Sequence, residues 1–219
     1  DPELMGWDYD PDSTYSVPFF WGTVGLVYNK TMVDDPVESW DILWDEKYSK
    51  EVIMLDSSRD SLGIALQRLG YSMNSRSEEE LAAAKQSLIE QKPMVLAYVV
   101  DEVRDMMLGG EGAIAAVYSG EGVWIDRDSE DLVFVNPKDG TNLWIDAACI
   151  PKTAKHQEEA EKFIDFICRP EIAAQISDYV GYSTPNLPAR ELLDPELTGN
   201  PEAYPDAEYL SKCEVFRNP

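Results

Sequence analysis

Trp144-Ile145-Asp146 sets an indole and a carboxylate two residues apart within the apolar run 143–150. Side chains alternate between the faces of a strand, so this spacing puts Trp144 and Asp146 on one face and Leu143 and Ile145 on the other. An indole beside a carboxylate suits an alkylammonium group. The carboxylate takes the charge, and the ring packs on the methylenes or meets the cation with its π-face. A core tryptophan next to a capping aspartate produces the same spacing, so the pair alone leaves both readings open.

Two further segments sit where chemistry is expected. Asp56-Ser57-Ser58-Arg59-Asp60 follows the apolar run Val52-Ile53-Met54-Leu55 and precedes a helical pattern. Asp56 falls at the strand's carboxyl end, Ser57 or Ser58 at the helix N-cap, and Asp60 in the first helical turn. A carboxylate there either contacts a ligand or answers the helix dipole with no ligand at all. Tyr118-Ser119-Gly120-Glu121-Gly122 follows a second buried run, and its glycines permit close backbone approach. No Lys-Ser/Thr follows them and the local charge is negative, which argues against a phosphate-binding loop.

Composition excludes several classes of function. Forty-two Asp and Glu against 18 Lys and Arg give a formal net charge of -24. Phosphate binding needs a basic footprint, so nucleic acid is not an expected partner. The field favours cations, although an acidic surface also serves solubility. Acidic residues are so common that no particular pair marks a glycoside hydrolase, and a carboxylate-dependent hydrolase stays open as an alternative reading. His156 is the one histidine, in the first turn of a helical pattern, so a Ser-His-Asp triad or a histidine-rich metal site would rest on it alone. Cys149, Cys168 and Cys213 form no Cys-x-x-Cys pair, and the first two sit in apolar runs as small core residues. No cofactor, metal or catalytic residue is expected. No apolar run reaches the roughly 18 residues of a membrane span. Asp1-Pro2-Glu3 has neither a basic n-region nor an apolar h-region, so no signal peptide is expected in this stretch.

The elements that must position these residues follow from periodicity. Residues 1–15 read as an irregular polar arm and 17–28 as an extended segment with bend points at Gly22 and Gly25. Ser39 caps a short helix over 39–44. Strands are expected at 52–55, 94–99, 113–118, 132–135 and 143–150. Helices are expected at 62–69, from the Ser77-x-x-Glu80 capping pattern to about Gln91, at 102–108, at 155–168 with Ala160, Phe163, Ile164 and Ile167 on one face, from Pro170 to about Gly181, and at 188–193. Short apolar strands alternating with amphipathic helices predict an α/β sheet covered on both faces, with ligands outside the carboxyl ends of its strands.

Several segments together resemble one family. Val17-Pro18-Phe19-Phe20-Trp21-Gly22, Gly70-Tyr71-Ser72, Leu143-Trp144-Ile145-Asp146-Ala147-Ala148-Cys149-Ile150-Pro151, Phe163-Ile164-Asp165-Phe166-Ile167-Cys168-Arg169-Pro170-Glu171, Gly181-Tyr182-Ser183-Thr184-Pro185-Asn186 and Tyr204-Pro205-Asp206-Ala207-Glu208 resemble, in order, the bacterial spermidine/putrescine-binding proteins of ABC importers. The resemblance covers about 15–208. It implies a two-lobe periplasmic-binding-protein-like (type II) α/β fold that closes on its ligand, and no enzyme activity.

It further implies ligand binding by Trp144, Asp146, Asp60, Tyr118 and Tyr182, with Asp56 and Ser57 alongside. Asp60 stands where a longer glutamate is usual, Tyr118 at an aromatic wall that is commonly tryptophan, Ser57 where an acidic residue is frequent, and Phe216 where a glutamine can reach the ligand. Residues 1–22 would be an arm and inter-lobe crossover, 23–140 lobe two, 143–182 a return into lobe one, and 183–219 a segment crossing back to lobe two. The implied partners are a polyamine and ABC permease subunits. The implied location is periplasmic or extracellular, with membrane contact only through the permease or a lipid anchor outside this chain. With half the trap lacking, weak or absent polyamine binding is expected of the chain alone.

Overall fold

One long strand ties the molecule together. The computed structural model describes residues 1–217, so the last two positions of the expected segment 183–219 lie outside the described residues. The strands, in chain order, are β1 (Val17–Asn29), β2 (Val52–Leu55), β3 (Val95–Val99), β4 (Ile114–Tyr118), β5 (Leu132–Val135) and β6 (Leu143–Ala148). The later half of β1 lies between β4 and β5, antiparallel to both. Its earlier half, Val17 to Thr23, pairs antiparallel with β6. The register slips between Pro18 and Phe20, where a proline has no N–H to give the ladder. β2 runs parallel to β3 and β4, so the sheet order is β3-β2-β4-β1-β5 with β6 attached to β1.

This topology brings the candidate residues together. The carboxyl ends of the three parallel strands lie at one edge of the sheet. β1 runs against them, so its earlier half and β6 emerge at that same edge. The register places Val24 opposite Tyr118 and Gly22 opposite Trp144.

Helices cover both faces, as the strand and helix alternation predicts. They are α1 (Ser58–Arg68), α2 (Glu78–Gln91), α3 (Val103–Leu108), α4 (Ser119–Asp128), α5 (Gln157–Ile167), α6 (Pro170–Val180), α7 (Leu187–Arg190), α8 (Pro195–Thr198) and α9 (Ala207–Leu210). One core joins Trp40, Leu43, Tyr48, Met54, Leu55 and Ile64. The other joins Ile53, Met107, Val117, Ile125 and Phe134 to Leu193, Leu197 and Tyr204 of the C-terminal segment.

Ser39 caps a 3-10 turn at Trp40–Trp44, and Ser77 caps α2 by accepting the Glu80 N–H at 3.4 Å. The box is incomplete: the Glu80 carboxylate takes the Ser75 hydroxyl, and the Ser77 N–H donates to Ser75 Oγ at 3.1 Å. Removing the Ser77 cap as Ser77→Ala should cost about 1 kcal/mol in urea unfolding, with an unchanged m value.

Four sequence expectations need correction. Residues 119–128 form a helix that the pattern did not mark. Gly120 and Gly122 each lower helix propensity by about 1 kcal/mol, and burial of Val123 and Ile125 offsets this. Cys149, just past β6, is exposed, and Cys168, the C-cap of α5, is only half-buried. The apolar face expected on α5 is not a core face. Among the described residues of α5 none is buried, and Phe163 is 62% and Phe166 45% exposed. The polar arm is anchored: Leu4 is buried, and the Asp10 carboxylate accepts the N–H groups of Thr14, Tyr15 and Ser16 at 2.9–3.0 Å.

Candidate functional site

The site begins at the end of β2. Ser57 is the N-cap of α1, and its Oγ accepts the Asp60 N–H at 3.2 Å. The same hydroxyl donates to Asp60 Oδ2 at 2.6 Å. Asp60 is only 7% exposed and its carboxylate is well supplied with donors. The Tyr118 hydroxyl donates to Oδ2 at 2.9 Å, and Asn142 Nδ2 donates to Oδ1 at 3.2 Å. Capping and the wider polar network are therefore one structure. Asp56 stands apart from it: its side chain is exposed, and its N–H extends the ladder to Val99 at 3.0 Å.

Tyr118 leads from this network to a set of rings. Its ring meets Trp144 edge-on, with centroids 6.2 Å apart and planes at 85°. Trp144 meets Tyr182 the same way at 5.1 Å and 85°. Phe20 approaches Tyr182 at 5.8 Å. Edge-to-face contacts of this kind are favourable because the positive rim of one ring faces the negative face of the next. The indole is also pinned by its N–H, which donates to Thr23 O at 3.0 Å. Only a glycine at position 22 leaves room for it, since a Cβ there would lie 2.5 Å from Trp144 Cζ2.

Asp146 follows Trp144 along β6, opposite Phe20 in the register. The strand alternation holds: Leu143 and Ile145 pack into the core under β5, while Trp144 packs toward Tyr118 on the other side. Part of the Asp146 surface is open, but nearby protein atoms desolvate its carboxyl and push its pKa above the ordinary aspartate range. Burial pushes the Tyr182 phenol up to about 12, with the charges of Glu121, Asp146 and Asp101 adding to the shift and Arg104 opposing it. Tyr118 is also raised, by burial first and then by the Asp60 charge. Both phenols thus stay neutral hydrogen-bond donors in an acidic surrounding.

Of the predicted residues, Asp60, Ser57, Tyr118, Trp144 and Tyr182 form one connected patch, with Asp146 at its edge. An exposed carboxylate beside aromatic rings, with the Asp60 carboxylate behind them, can bind an organic cation. Among the described residues no His, Cys, Asp and Glu cluster has the arrangement of a metal site, and no helix is long and apolar enough to cross a membrane.

The family model for bacterial extracellular solute-binding proteins matches residues 1–205. The chain belongs to the bacterial extracellular solute-binding protein family. It is 36% identical over 215 residues to the spermidine/putrescine-binding periplasmic protein of Salmonella typhimurium, covering 98% of this chain. It spans 62% of that relative's length. The fold superposes on a spermidine/putrescine ABC transporter protein from Listeria monocytogenes with a TM-score of 0.95 at 42% identity, covering 100% of this chain and 68% of that one. A Treponema pallidum lipoprotein gives a TM-score of 0.82 at 25% identity, covering 95% and 66%. The type II periplasmic-binding-protein-like α/β fold expected from the sequence is the fold observed.

The chain also holds site residues beyond those the resemblance implies. Asn142, bridged to Glu214 just before β6, donates to Asp60, and its buried Oδ1 has no hydrogen-bond partner among the described residues. Ser119 accepts the Thr23 N–H at 3.1 Å. Ser119 lies in the 118–122 segment that the strand-end rule marks, but nothing there foretold its bond to Thr23; Asn142 precedes β6, outside any periodic pattern and at no carboxyl strand end, so no sequence signal marks it. Phe216 packs beside the Asp60 network: a Cβ on Gly63 would lie 3.2 Å from its ring, and Arg59 stacks on it at 4.5 Å.

Proposed function

We propose that this chain is the major part of a non-enzymatic solute-binding protein that delivers polyamines to an ABC importer. The carrying observation is the patch itself, an open, desolvated Asp146 beside the perpendicular rings of Trp144 and Tyr182. Asp146 takes one ammonium group, and the rings pack along the methylene chain. Asp60 takes part at the other end, behind Tyr118. The orphaned Asn142 Oδ1 is a buried acceptor in want of a donor, and an ammonium group carries three. Ser57 and Tyr182 line the site, and Asp56 at its rim adds negative field. Relatives named as spermidine- and putrescine-binding proteins support the choice of ligand.

The same proposal divides the chain between two lobes. Residues 23–140 form one lobe, 1–22 lead into it, 143–182 return to the other, and the segment from 183 crosses back. The exposed rings of α5 and the β1/β6 ribbon beside the five-stranded sheet support this division. Closure of the two lobes presents the loaded protein to permease subunits outside the cytoplasmic membrane. The protein is periplasmic or held at the surface by a lipid, as the lipoprotein relative is.

Calorimetry with putrescine and spermidine, on the intact protein and on this chain, tests the proposal. The intact protein should release heat with at least one polyamine, and this chain should bind weakly or not at all. Silence toward both polyamines, with uptake of an anion or a sugar, would end the polyamine assignment. Binding by the chain alone at about micromolar strength would end the two-lobe requirement.

A further inference from the structure

The three rings of the site are tied to one short piece of backbone, the step from β4 into α4: Tyr118 belongs to it, Tyr182 lies against it, and Trp144 is linked to it through Thr23. Tyr118 is the N-cap residue of α4, and no side-chain hydrogen bond closes that cap. Ser119 is buried, and its Oγ accepts the N–H of Thr23. Thr23 in turn presents its carbonyl to the Trp144 indole N–H. Gly120 lies directly against Tyr182: a Cβ there would be 2.6 Å from Tyr182 Cγ and would overlap Cδ1 and Cε1 outright. Glu121 fixes this turn to α3, because Arg104 pairs with it at 2.8 Å while stacking on Trp124 at 3.9 Å.

We propose that the first turn of α4 is the platform that sets the mutual angle of the three rings, and that Gly120 is a positioning residue for polyamine binding acting through Tyr182. The inference rests on the proposed polyamine site. The physical content is steric. Tyr182 holds its perpendicular contact on Trp144 only while its ring lies flat on a backbone without a Cβ. Helical geometry leaves Gly120 no freedom to turn a new methyl elsewhere. A methyl there lifts the Tyr182 ring, opens the Trp144–Tyr182 contact and displaces the wall beside Asp146. A helix tolerates alanine better than glycine, so local propensity favours the substitution and any harm comes from the ring contact.

The test is a cycle of Gly120→Ala and Tyr182→Ala in the intact protein, read by polyamine calorimetry and by near-ultraviolet circular dichroism, which reports the Trp–Tyr arrangement without ligand. Gly120→Ala should weaken binding about tenfold and change the near-ultraviolet spectrum, and in the Tyr182→Ala background its effect should shrink to less than about twofold. If Gly120→Ala fails to fold alone, recovery of folding in the double variant reads the same contact. Equal losses in both backgrounds, or an unaltered spectrum in a folded Gly120→Ala protein, overturn the platform. Failure of the wild-type protein to bind polyamines strikes the proposed function instead, and the ring spectrum still tests the seat.

Discussion

Asp146→Asn will weaken polyamine binding by about 2–3 kcal/mol, roughly thirty- to a hundred-and-fortyfold. The substitution keeps the shape and one acceptor oxygen, removes the charge, and turns the other oxygen into an N–H donor that an ammonium group cannot use. The loss belongs at the low end for a paired charge because Asp146 is exposed to water. It should appear mainly as faster dissociation, since the rings that receive the methylenes are untouched. The pH dependence separates this role from a packing role. Desolvation raises the Asp146 pKa in the free protein. An ammonium ligand favours the carboxylate form, so binding below that raised value must expel a proton. Affinity is therefore full above it and falls as pH drops through it, beginning at a higher pH than for an ordinary aspartate. Asp146→Asn should remove that inflection. Calorimetry across the acid range checks both outcomes, and an inflection that survives in the asparagine variant would assign it to another group.

How far the sequence reveals this site depends on how local each determinant is. The Trp144 and Asp146 pair was legible because strand alternation is a two-residue rule, and β6 obeys it. The Ser57 cap of α1 was legible because capping acts over three residues. Helix α4 was hidden because its glycines answer to distant rings, Tyr182 on Gly120 among them, and a contact across 62 positions leaves no periodic trace. Asn142 was hidden for the same reason, its partner lying 82 residues away. The α5 stripe misled in the opposite way. Its spacing is that of a buried face, but spacing names no partner, and the described residues cover it only in part, leaving Ala160, Ile164 and Ile167 half-buried and Phe163 exposed. Asp60 combined both kinds of information. Its place in the first helical turn was local, but its burial behind Tyr118 was a tertiary fact.

That burial makes Asp60→Ala the most damaging change expected among the site's polar residues, at about 3 kcal/mol. Three donors lose their acceptor. Ser57 and Tyr118 are only half-buried, and their hydroxyls can turn to water. Asn142 cannot, being 7% exposed and already carrying one unpartnered atom. Its freed amide accounts for about 1–3 kcal/mol, and the lost carboxylate in the first turn of α1 for about 0.3–1 kcal/mol more. Asp60→Asn should cost less, about 1 kcal/mol, because an amide oxygen still accepts the Tyr118 hydroxyl. The decisive comparison adds Tyr118→Phe. If the phenol acts through Asp60, Tyr118→Phe destabilises the parent but costs at least about 0.5 kcal/mol less in the Asp60→Ala background. Strict additivity in urea unfolding would mean that the Tyr118–Asp60 bond contributes nothing. Binding should follow the same order. Tyr118 without its anchor no longer holds the wall on which Trp144 rests, so a residue that is almost wholly inside the protein governs the face of the site that the ligand meets.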